Sequence, residues 1–177
     1  MRLFTAIDIP DEMKERLELF VSGLRPLAKL SWSPVQNMHI TTKFIGEWPE
    51  ERLSEMKNSL AGIPKLGAFV LQVKGLGWFP DERHARVFWA GVMAGDPMRL
   101  LAGATDGVTG DLGVPREKRD FSPHLTLARI REAVPRDVLR KALENVPADF
   151  GSFPASNFFL YLSRSGEYTK LAEFSLE

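Results

Sequence analysis

Apolar positions change their spacing repeatedly along this chain, and the changes mark its elements. Leu3 to Ile9 alternates as a strand closed by Pro10. Asp11 then caps a predicted helix in which Met13, Leu17, Phe20, Val21 and Leu24 recur at helical spacing until Pro26. A loop with Trp32 and Pro34 leads to a strand from Met38 to Ile45, stopped by Gly46. Pro49 and Glu50 open a second helix through Leu53, Met56 and Leu60. Strands over Ala68 to Gly75 and Ala85 to Val92 flank a turn-rich segment with Gly77, Pro80 and Asp81. A helix is predicted over Asp96 to Leu112, then a basic loop and a strand from Phe121 to Ile130. Pro135 begins a short helix with Val138, Leu139 and Leu143. One long strand, Phe153 to Ser163, a turn at Ser165-Gly166 and a strand from Thr169 to Ser175 close the chain.

Strands joined directly to strands favour α+β with antiparallel pairing over a doubly wound parallel sheet. The strands at 38–45 and 121–130 each carry His-x-Thr: His39-Ile40-Thr41 and His124-Leu125-Thr126, 85 positions apart. Residues i and i+2 of a strand share a face, so each imidazole lies beside a hydroxyl. The repetition predicts two similar lobes, each giving one strand to a shared cleft, within a single bilobal unit over residues 1–177.

Composition narrows the chemistry. The 177 residues carry 23 basic and 23 acidic side chains, which argues against coating nucleic acid electrostatically but not against a pocket for a strand end. Cysteine is absent, which removes disulfides, thiolate catalysis and zinc-thiolate sites. No signal peptide or apolar run long enough for a membrane span is visible, so a cytoplasmic protein without membrane association is expected.

Two imidazoles that titrate near neutrality can hold one proton between them, as in-line displacement at phosphorus requires. His39 and His124 are the candidate catalytic pair, with Thr41 and Thr126 donating to non-bridging oxygens. Lys43, four positions after His39, shares its face by alternation. Arg129, five after His124, falls on the opposite face unless the strand bulges. Metal binding is the competing reading of the histidines, but neither strand contributes Asp, Glu or Cys to a ligand set. His84, among Asp81, Glu82 and Arg83, reads as a solvated turn. Phe4 and Tyr168 are candidate base-stacking residues, with a core position the competing reading for Phe4.

Met38-His39-Ile40-Thr41-Thr42-Lys43-Phe44-Ile45-Gly46-Glu47 and Ser122-Pro123-His124-Leu125-Thr126-Leu127-Ala128-Arg129 resemble the paired motifs of the two-histidine phosphoesterases. Within these, the chain resembles the bacterial and archaeal 2′-5′ RNA ligase family, also described as RNA 2′,3′-cyclic phosphodiesterases. Arg2 to Pro10, Arg86 to Val92 and the closing Phe159 to Leu171 extend the likeness over essentially the whole chain.

The resemblance implies a bilobal fold of two antiparallel sheets with flanking helices, related by a pseudo-twofold axis about a cleft. It implies hydrolysis of RNA 2′,3′-cyclic phosphate ends to 2′-phosphates without metal or cofactor. Reversible 2′-5′ ligation and tRNA halves are among the reactions and substrates it admits, and the protein is expected to be a monomer. It raises Arg129 to a phosphate contact. Thr42 departs from the family's usual leucine and, pointing away from the His39 face, should affect packing. His39 is assigned to protonate the 3′ oxygen and His124 to activate water, the reverse assignment staying open. A phosphodiesterase for a small cyclic nucleotide or 2′-5′ oligonucleotide, and a non-catalytic RNA-end binding module, are the alternatives.

Overall fold

The computed structural model describes residues 1–132, 136–144 and 146–177. In chain order its elements are β1 (Arg2–Asp8), α1 (Asp11–Leu24), β2 (Ser31–Trp32), β3 (His39–Glu47), α2 (Leu53–Ala61), β4 (Phe69–Phe79) and β5 (Val87–Met93). Then come α3 (Gly95–Asp111), β6 (His124–Arg129), α4 (Arg136–Leu143), β7 (Asp149–Ala155), β8 (Asn157–Arg164) and β9 (Glu167–Ser175). The α+β class expected from the patterning holds, and every strand pair is antiparallel. Pro135, read as opening α4, lies outside the described residues.

The two expected sheets are joined into one curled sheet of order β7-β4-β5-β6-β3-β1-β8-β9, with β2 added on β6. The join is narrow. β3 and β6 share a single residue pair, Ile40 with Leu125, so the two strands part on either side of it. The helices hold this joint. α1 follows β1 yet packs against β7 in the other half, and α3 follows β5 yet packs against β3. Met13, Leu17, Val21 and Leu24 of α1, and Met98, Leu101 and Ala102 of α3, are buried where the two halves meet, all but Ala102 within one cluster common to both.

Three boundaries depart from the patterning. Pro10, not Asp11, holds the cap position of α1, and Asp11 is its first residue. The helix predicted from Pro49 begins as a 3₁₀ turn over Glu50–Arg52, and α2 proper starts at Leu53. The long strand predicted over 153–163 is two strands broken at Ser156. β7 pairs with β4 while β8 pairs with β1, so the chain crosses here from one half to the other. Only Ser156-Asn157 interrupts the apolar residues here, and alternation alone does not register a change of partner.

Candidate active site

Ile40 and Leu125 are fully buried, and their pairing turns His39, Thr41, His124 and Thr126 onto the opposite face. His39 and Thr41 flank the one pair on β3, and His124 and Thr126 flank it on β6, where the strands diverge. Both motifs therefore look onto one face, near enough for the charge of His124 to act on His39.

The two rings are oriented alike. His39 donates its Nδ1–H to the carbonyl of Asn37 at 2.7 Å, and His124 donates its Nδ1–H to the carbonyl of Ser122 at 3.0 Å. A carbonyl only accepts, so each bond fixes the proton on Nδ1 and leaves Nε2 as the group with proton-transfer capacity. The backbone two residues upstream supplies both orienting contacts. This device depends on local geometry and has no mark in the sequence.

Past the threonines both strands bulge. Opposite β1, Thr41 pairs with Ala6 and Lys43 with Thr5, leaving Thr42 as the extra residue. Opposite β5, Thr126 pairs with Trp89 and Ala128 with Phe88, leaving Leu127 extra. Each bulge reverses the parity of everything after it. Arg129 is thereby turned to the cleft face, where its charge acts on His39.

The same bulge corrects the placement of Lys43. Its side chain points away from the cleft, is 2% exposed, and is bound by Asp106 Oδ1 (2.7 Å), the Pro115 carbonyl (2.7 Å) and Glu117 Oε1 (3.3 Å). Burial acts to raise the Asp106 carboxyl, but the Lys43 ammonium and the Glu117 N–H together hold it below the usual range. Lys43 ties β3 to α3 and to the loop that leads toward β6. It is a structural ion pair rather than a phosphate contact. Thr42 beside it is buried and shares a 2.6 Å hydrogen bond with Thr5 Oγ1, which satisfies a hydroxyl at a core position.

For Phe4 the structure fits the core position rather than the base-stacking one. It is 4% exposed, stacked on Tyr161 (5.0 Å between centroids) and set against the His39 ring at 4.7 Å. With those neighbours it backs His39 and offers no open face to a base. Tyr168 stands edge-on to both Phe4 (5.1 Å) and His39 (5.3 Å) and stays accessible.

A cavity of about 390 Å³ opens beside His39, lined in part by Asp8, Asn37, Tyr161, Tyr168 and Lys170. Asp8 pairs across from His39 and is engaged by Lys170 at 2.6 Å and Lys14 at 3.3 Å. Burial acts to raise the Asp8 carboxyl, but the two lysines hold it below the usual range. Patterning gave no reason to group these three residues, since they come from β1, α1 and β9.

Burial pushes the His39 pKa below the ordinary imidazole value, helped by the charges of His124 and Arg129. The Asn37 carbonyl and the Asp8 carboxylate act in the other direction. Among the described residues no three His, Cys, Asp or Glu side chains gather as a metal-ligand set. His84 lies in an exposed turn, where Asp81 accepts from the backbone N–H groups of Arg83 and His84.

Two His-x-Thr strands, one from each half of a repeated antiparallel sheet, define the class: a two-histidine phosphoesterase. Comparison with known proteins agrees. Residues 7–89 match the family model described as LigT-like phosphoesterase. A Methanocaldococcus jannaschii protein named RNA 2′,3′-cyclic phosphodiesterase is 33% identical over 169 residues, covering 92% of this chain and 91% of that protein. A crystal structure from Thermus thermophilus superposes with a TM-score of 0.81 at 31% identity, covering 99% of this chain and 98% of that one. E. coli LigT complexed with 3′-AMP gives a TM-score of 0.77 at 25% identity, covering 98% and 97%. The chain belongs to the LigT-like phosphoesterase family.

Proposed function

We propose that this protein hydrolyses RNA 2′,3′-cyclic phosphate ends to 2′-phosphates by metal-independent acid-base catalysis at His39 and His124. The observation that carries the proposal is the matched orientation of the two imidazoles, each with Nδ1 tied to the backbone carbonyl two residues upstream, on two strands joined at one buried pair. The relative from M. jannaschii named for this reaction, and E. coli LigT with a bound nucleotide, support the substrate class.

In the proposed reaction one imidazole takes a proton from water as its oxygen attacks phosphorus. The P–O3′ bond breaks, the other imidazole protonates the departing 3′ oxygen, and the phosphate stays on the 2′ oxygen. Thr41, Thr126 and Arg129 bind the non-bridging oxygens as charge accumulates there. A 5′-hydroxyl in place of water would give a 2′-5′ phosphodiester by the same displacement, so ligation of RNA fragments such as tRNA halves needs no additional group.

Burial favours neutral His39 in the free protein, which suits the proton acceptor and is the reverse of the assignment made from sequence. A bound phosphate anion between the rings opposes this by favouring protonation of both. A substrate with an activated leaving group separates the roles, because it restores turnover only to the variant lacking the acid.

The test is product analysis on a cyclic-phosphate oligonucleotide with EDTA present. A 2′-phosphate product that is lost in His39→Ala and His124→Ala is expected. Loss of wild-type activity with EDTA would overturn the metal-free mechanism, and binding without turnover would overturn the reaction itself.

A further inference from the structure

The basic loop between α3 and β6 is fastened at both ends. Val114 is buried, and the Glu117 N–H donates to Asp106 Oδ1 at 3.0 Å. Phe121 packs against the core. Arg116 is spent on Asp111, 2.8 Å away, which leaves Lys118, Arg119 and Asp120 exposed on the short span between the fastenings. Arg119 has a seat there. Its guanidinium lies over the Phe79 ring, 6.0 Å from the centroid, and an exposed ring holds a cation without neutralising it.

Phe79 belongs to the catalytic face. It pairs with Val87 of β5, and Val87 pairs with Arg129 of β6. Partners across strands share a face, and here it is the face onto which the β6 bulge turns Arg129. The row from Arg129 to Phe79 covers two strand spacings, about 10 Å, with only Val87 between. Among the described residues neither Arg119 nor Arg129 is paired with a carboxylate. The surface beside His39 is built differently, for there Asp8 takes up both Lys14 and Lys170. A polyanion that enters the site therefore meets its free cations on the β4–β5–β6 side.

We propose that Arg119 binds the phosphodiester on the 5′ side of the terminal nucleotide, so that the RNA chain leaves the reacting phosphate across β5 and β4. This rests on the cyclic-phosphodiesterase reading and adds to it a second phosphate site. The planar guanidinium offers paired N–H donors to the non-bridging oxygens of that link. A mononucleoside cyclic phosphate has no such link and gains nothing from Arg119.

The experiment measures kcat/KM for uridine 2′,3′-cyclic phosphate and for a dinucleotide with the same terminus, its link either a phosphodiester or an uncharged methylphosphonate. Wild type, Arg119→Met and Arg119→Lys are compared, and thermal midpoints check that the variants fold. In wild type the charged link should be favoured by roughly three- to thirty-fold. Arg119→Met should remove that preference while leaving mononucleoside turnover within about two-fold, and Arg119→Lys should keep part of it. Added salt should weaken the wild-type preference and leave Arg119→Met unaffected. An equal preference for the charged link in wild type and Arg119→Met, or none in wild type, would overturn the subsite and leave the cyclic-phosphodiesterase reading intact. Absence of wild-type turnover on every substrate would overturn both.

Discussion

The halves around β3 and β6 carry one design in two environments. Each begins with a histidine whose Nδ1–H is tied to the carbonyl two residues earlier, places a threonine beside it, then bulges. From there they diverge. At the fourth position after the histidine, β3 buries Lys43 in an ion pair and β6 buries Ala128. At the fifth, β3 shows Phe44 and β6 shows Arg129. His39 is packed against Phe4, whereas His124 is exposed. Duplication of the strand supplies a matched pair of proton carriers. Divergence around it gives each ring its own surroundings, which a reaction needing one acid and one base can use.

Removing either half's imidazole should produce the largest effect. His39→Ala and His124→Ala should each lower kcat by roughly 10²–10⁴-fold on a cyclic-phosphate oligonucleotide. The double variant should lose little more, since both groups act in one step. If one single variant kept near-normal kcat, the two halves would not be catalytic partners.

Lys43 has no counterpart in the β6 half, and its loss should act on stability. Lys43→Met leaves Asp106 without its cation and should cost about 2–4 kcal/mol, less than for a fully buried pair because Asp106 is partly exposed. Thermal unfolding should report this as a drop of roughly 5–15 °C. The KM of the variant at a temperature where it is folded should match wild type. A selective rise in KM would return Lys43 to the phosphate site.

Arg129 is the converse case. Arg129→Met should lower kcat/KM by roughly ten- to a hundred-fold, with little change in thermal midpoint, because the side chain is exposed and its charge acts in the cleft. Parallel assays of Lys43→Met and Arg129→Met would separate the structural cation from the substrate-facing one.

The smallest effect concerns the burial of His39. Its folded pKa lies below the ordinary value of 6.5, so between these values the unfolded chain binds more protons than the folded one. The stability contributed is present above about pH 6.5 and is lost as pH falls through the lowered pKa. Melting curves from pH 7.5 to 5 should slope less for His39→Gln than for wild type. Ring-proton NMR should place the His39 titration below 6.5 and move it upward in Phe4→Leu, which loosens the burial. A His39 titration at or above 6.5 in the wild type would contradict the effect of burial.

Much of the fold could be read from patterning because most strands here have one buried face, and one buried face leaves a period of two. In the 153–163 run the only mark of the break is the short polar pair Ser156-Asn157, and that β7 pairs with β4 while β8 pairs with β1 leaves no trace in the alternation. At the site, the histidines and threonines were legible as a local repeat. Asn37, Ser122 and Asp8 were not, because a carbonyl has no sequence identity and Asp8 meets Lys14 and Lys170 only through strand order.

The sequence alone determined that two imidazoles and two hydroxyls would occupy one face of two strands, for i and i+2 lie together whatever the partner strand. It also carried the family resemblance along the whole chain. Only the tertiary structure decided what lies beyond the threonines. A bulge is a mismatch between neighbouring strands, so the faces of Lys43, Phe44 and Arg129 were set by pairing with β1 and β5 rather than by their own segments.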